Sequence, residues 1–169
     1  MNRNRIPLAT AGLLVAWMVH DIEELLTMSD TSRTLVQQLP DWIPVPGSIR
    51  EQGLTTRYLA TGIATIGLIV AAAAVRGYRT QGRSAFYQNT LLAFGLHGLG
   101  HLAASLLTRG YTSGVGTAPL VLLFWLWATR GLDEAGVPNR RSLPAAVALL
   151  AGSLAVGHFT AYILTGNQP

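Results

Sequence analysis

Polar and apolar positions alternate in blocks rather than residue by residue. Five apolar runs, near residues 6–27, 54–75, 86–107, 115–130 and 143–165, are separated by short polar stretches. Most are close to the roughly 20 residues that a helix needs to cross a hydrocarbon core. The pattern therefore predicts an all-α, polytopic membrane helix bundle of about five transmembrane helices, one integral membrane domain over 1–169. The fourth run is the short one: its dense part is Ala118 to Thr129, and the uncharged Gly114 to Thr117 is available to extend it. The longest gap, Met28 to Gly53, holds Pro40, Pro44 and Pro46, which preclude a regular helix there. Trp42 and Ile43 in that gap suit the headgroup layer, and Ser32 to Leu39 is read as a short separate helical piece lying in the interface.

Composition agrees with a membrane protein. The chain is 50% hydrophobic and only 12% charged, against roughly 25% charged in soluble domains, and its mean hydropathy is +0.36. All twelve basic residues are Arg, giving a formal charge of +4. They sit in the gaps between apolar runs, which argues against a nucleic-acid surface. Arg3, Arg5, Arg76, Arg79, Arg83, Arg130, Arg140 and Arg141 fall on one side of the expected topology and Arg33, Arg50, Arg57 and Arg109 on the other. The Arg-rich side is expected to be cytoplasmic, so the N-terminus is placed inside and the C-terminus outside the plasma membrane. The apolar N-terminal run ends in acids with no small-residue cleavage site, and is read as a retained helix.

Against this background the stretch His20-Asp21-Ile22-Glu23-Glu24 stands out, with four ionisable groups among five residues of an apolar run. Such groups are costly in lipid and mark sites. On a helix Glu23 and Glu24 follow His20 by three and four positions and can share its face, while Asp21 is turned about 100° away. The other histidines, His97, His101 and His158, also lie in apolar runs. Counting from each helix start, His20 lies about 21 Å along, His97 and His101 about 17 and 23 Å, and His158 about 23 Å. One layer of the bundle thus collects all four imidazoles, with the acidic pair about a turn further out.

With no cysteine in the chain, His and carboxylate are the strong metal ligands available. His97-Gly98-Leu99-Gly100-His101 offers two imidazoles at the i, i+4 spacing of helical zinc sites, and Gly98 leaves no internal base, so Glu23 or Glu24 has to supply one. The candidate metal ligands are His20, Glu23, Glu24, His97, His101 and His158, with Glu23 and Glu24 also the candidate catalytic groups. Zinc on His97, His101 and His158 is one solution, and His20 with Glu23 or Glu24 is another. Zinc is preferred over iron, and a single metal over a pair. Arg57, Tyr58 and Tyr162 lie near the same layer as supporting residues, with snorkelling the default for Arg57 and interface anchoring for Tyr162.

The His-x-x-Glu-Glu pattern in a first membrane helix, followed by histidines in later apolar helices, resembles the family of small bacterial integral membrane proteins named for its HXXEE motif. The likeness extends over most of the chain. It implies the architecture and the candidate residues Glu23 and Glu24 with His20, and no substrate. The function expected from the residues is a membrane-embedded, metal-dependent hydrolase or hydratase acting on a small apolar or amphipathic substrate dissolved in the lipid bilayer. Alternatives are a non-haem iron oxidase of apolar substrates, a metal ion or proton carrier, and a structural subunit fastened by its polar cluster. A homo-oligomer is compatible with the sequence.

Overall fold

The computed structural model describes residues 5–166. Arg3, one of the orienting arginines, lies outside them. Among the described residues there are six helices and no strands: α1 (Arg5–Gln37), α2 (Gly47–Gln52), α3 (Thr56–Arg79), α4 (Ala85–Thr108), α5 (Ala118–Glu134) and α6 (Leu143–Leu164). Four of them, α1, α3, α4 and α6, are long and apolar enough to cross a membrane. The fifth expected span, α5, has 17 residues, about 26 Å of helix. Gly114 to Thr117 does not lengthen it, because Gly114 takes a positive φ of 81° and the chain turns there.

The other departure is at the end of α1. Residues 28–37 continue the helix instead of forming a separate interfacial piece, so α1 runs 33 residues, about 50 Å. Nothing breaks the helix before Pro40. Gly53, at φ 73°, lets the returning chain press against the backbone of Ser29 and Arg33, and Ser32 Oγ accepts the Leu54 N–H. The extension is thereby packed against the chain leading into α3. The proline-rich segment that follows is gathered by Arg50, whose guanidinium donates to the carbonyls of Leu39 and Ile43. Trp42 stands exposed there.

α1 packs against α3 and α5, α3 against α6, and α4 against α5 and α6. Small residues allow the closest of these approaches, as is usual where helices meet in lipid. A Cβ at Gly95 would lie 2.5 Å from the Trp125 ring, and one at Gly98 would lie 2.8 Å from Val121. Gly62 of α3 meets Gly157 of α6 backbone to backbone. At the Arg-rich end Tyr87 is fully buried over Gly77 and donates its hydroxyl proton to the Ala9 carbonyl. Gln88 and Asn89 receive the backbone N–H groups of Arg140 and Ser142. Arg5 pairs with Glu134 at 3.2 Å, tying the start of α1 to the end of α5.

Candidate metal centre

Two stripes of α1 do different work. Glu23, Thr27 and Thr31, spaced four apart on one face, all bond the turn of residues 111–117 that leads into α5. Glu23 Oε1 accepts the Gly116 N–H at 2.9 Å and the Tyr111 hydroxyl, while Oε2 accepts the Thr117 N–H at 2.7 Å and its hydroxyl at 2.6 Å. Thr27 donates to Ser113 Oγ, and Thr31 Oγ1 accepts the Ser113 N–H. Thr117 makes no side-chain cap of its own for α5; the carboxylate of Glu23 meets the orphan N–H groups at that helix start, where a negative charge is favoured. Burial together with the Glu23 carboxylate pushes the Tyr111 hydroxyl up from its ordinary value, so it remains a donor.

The second stripe, Trp17, Asp21, Glu24 and Met28, faces the inside of the bundle. Here Glu24 meets the two histidines of α4. Its Oε1 lies 3.1 Å from His101 Nε2 and 3.7 Å from His97 Nε2, and the two Nε2 atoms are 3.0 Å apart. His20 completes the group. Its ring centroid is 4.8 Å from that of His101 and 5.1 Å from that of His97. One ligand atom from each of His20, Glu24, His97 and His101 falls within 4.8 Å of the others. Gly114 makes room for this packing, since a Cβ there would come within 2.6 Å of the His101 ring.

The tautomer of His20 follows from its neighbours. Thr117 has one hydroxyl proton and spends it on the acceptor-only Glu23 carboxylate. The Thr117 oxygen must therefore accept from His20 Nδ1, 2.7 Å away. That leaves Nε2 carrying a lone pair, and this atom is buried without a hydrogen-bond partner. A fully buried imidazole held in this way, its far nitrogen tied through a hydroxyl to a carboxylate, is the arrangement of a metal-binding histidine and its supporting shell. Donor spacing agrees as well. Tetrahedral bonds of about 2.0–2.1 Å separate adjacent donors by roughly 3.3 Å, close to the 3.0 Å between His97 Nε2 and His101 Nε2. The residues fit a cation that accepts nitrogen and oxygen.

The remaining candidates lie outside this group. His158 is exposed on α6, with Nδ1 3.0 Å from the Tyr58 hydroxyl; His20 takes the third imidazole position instead. Arg57 is exposed, and among the described residues no ion pair joins it to Glu23 or Glu24. Tyr162 is half exposed on α6. The residues that sequence reasoning passed over are Thr117, Tyr111 and Gly116, which hold Glu23, and Asp21, which faces inward beside Glu24. The four-residue repeat Glu23, Thr27, Thr31 carried a signal for the first set, because three hydrogen-bonding side chains on one face of a membrane helix need a polar partner.

Glu24, His97 and His101 open onto a cavity of about 300 Å³ bounded by α1, α3, α4 and α6. Its walls are largely aliphatic, with Ile63 and Ile66 from α3 and Leu149 and Leu150 from α6. Comparison with curated proteins and with solved structures finds no match. A family model described as a protein of unknown function with HXXEE motif matches residues 11–128. That stretch contains every member of the His/Glu cluster and the turn that supports it, and the chain belongs to the HXXEE motif family.

Proposed function

We propose that the protein is a membrane-embedded metalloenzyme, with a divalent ion held by His20, His97 and His101 beside Glu24, acting on a lipid-like substrate. The observation that carries this reading is that, among the described residues, His20 Nε2 is buried without a hydrogen-bond partner in a ring whose centroid is 5.1 and 4.8 Å from those of His97 and His101. Three imidazoles without thiolates suit zinc, with non-haem iron the second choice. A bound ion would supply Lewis-acid polarisation and activate water near neutral pH.

The residues of the chain do the rest. Glu23, engaged by four donors, orients Thr117 and through it His20. Among the described residues Glu24 is in contact with His97 and His101 and faces the cavity, so it is the group placed to take and return a proton. The aliphatic walls exclude bulk water and receive the substrate from the bilayer. They suit a hydrolase or hydratase of apolar molecules better than a carrier, whose hydrated ion needs a polar path. The arginines favour a cytoplasmic N-terminus, and the Arg5–Glu134 contact joins two ends assigned to that side.

The test is elemental analysis of detergent-purified protein. Wild type is expected to carry about one equivalent of zinc or iron, and the His97→Ala, His101→Ala double variant next to none. Glu24→Gln should keep the metal while hydrolysis of a chromogenic palmitate ester falls by about 10²–10⁴. Metal content equal and negligible in wild type and double variant would sink the proposal.

A further inference from the structure

The cavity beside the cluster has a shape and a polarity that narrow what it takes. Asp21 is 6% exposed, lines the cavity, and its Oδ2 has no hydrogen-bond partner. A buried polar atom of this kind is costly unless something satisfies it. Across the cavity Tyr58 is buried, and its hydroxyl contacts both Nδ1 and the carbonyl of His158, at 3.0 and 3.3 Å. This fixes the imidazole at the rim and leaves its Nε2 free.

Helix α3 serves as a ruler for the two walls. Gly67 sits under the Trp17 ring and Gly53 against Ser29, while Gly62 meets Gly157. Interpolating between these contacts sets Glu24 and His158 within about one turn of the same level. The polar atoms of the cavity are therefore gathered at the end near the 111–117 turn. From His101 back to Thr90 along α4 the cavity runs about 16 Å, past Phe94 and between the aliphatic faces of α3 and α6.

Resting on the metalloenzyme reading for its chemistry, we infer that the cavity binds a single-chain amphiphile whose head carries a hydrogen-bond donor. The head lies between Asp21 and the Tyr58–His158 pair, next to the metal cluster, and the chain points toward the Arg-rich end. A volume of about 300 Å³ is at the small end of ligand pockets and suits one short alkyl chain better than two. A head with hydroxyl groups offers partners to the Asp21 carboxyl and to the His158 ring, both of which line this end of the cavity.

Native mass spectrometry of the detergent-purified full chain tests this, with decyl glycerol ether as a probe that cannot be hydrolysed. Didecyl glycerol ether and decyl methyl ether, whose head has no donor, are the controls. One molecule of the single-chain glycerol ether is expected to remain bound at concentrations where the two controls do not, a preference of at least ten-fold. Ile63→Trp on one wall and Leu150→Trp on the other should each abolish the adduct while metal content stays at the wild-type level. Asp21→Leu should weaken ether binding about ten-fold. Equal retention of the single-chain and dialkyl glycerol ethers, or an adduct that survives both tryptophan variants, overturns the inference. Metal-loaded wild type that holds no ether refutes it and spares the metalloenzyme reading. Ether bound to protein without metal does the reverse.

Discussion

Thr117 decides how His20 can bind. Its hydroxyl is the sole link between the imidazole and the Glu23 carboxylate, and supporting contacts of this type are worth about 10–100-fold in metal affinity. Thr117→Val, which keeps the volume and removes the oxygen, is expected to weaken metal binding by about that factor in a competition titration with a chromogenic chelator. Thr117→Ser should restore most of it, an outcome that a purely steric role would not produce. The candidate ligands were legible in the sequence because a histidine or acid in an apolar run has few innocuous uses. The division of labour between Glu23 and Glu24 was not. At three and four positions after His20 both have access to its face, and the choice is made by Gly116 and Thr117, more than 90 residues away.

At the scale of elements, α4 and α5 are matched through glycine. Gly95 seats Trp125 and Gly98 seats Val121, while His97 and His101 emerge on the side facing α1. Gly95→Ala forces a Cβ into the indole and is expected to cost about 1–3 kcal/mol, read as a lowered thermal midpoint in detergent. A larger effect on metal content than on the midpoint would show that the α4 register matters more to the site than to the fold. Helix positions were readable from block hydropathy, since the bilayer sets a minimum apolar length. Helix ends were less so. The run of α1 past the membrane-length segment is stabilised by Gly53 and Leu54, and no local pattern announces such a tertiary contact. Equally, Gly114 to Thr117 is uncharged and reads as helix until its role in accommodating the His101 ring is visible.

Across the whole molecule, α1 and α4 are joined at two levels, by the Tyr87–Ala9 hydrogen bond at the Arg-rich end and by the His/Glu cluster toward the other. An ion bound there acts as a crosslink of the native state. Saturation a thousandfold above the dissociation constant contributes about 4 kcal/mol. Removal by a membrane-permeable chelator should lower the thermal midpoint of wild type and leave the His97→Ala, His101→Ala variant unmoved. The segment matched by the family model ends at residue 128, ahead of α6. The His/Glu cluster and its supporting turn fall within it, whereas the wall formed by Leu149, Leu150 and His158 falls beyond it.

The hydrogen bond from His20 to Thr117 spans 97 positions of the chain, and this bears on biogenesis. His20 leaves the ribosome early, yet its ring has no prescribed proton arrangement until the segment after α4 has been synthesised and folded back. A nascent chain exposing only its first helices would thus hold a cation weakly. On the metalloenzyme reading, tight loading would wait until the supporting turn has docked.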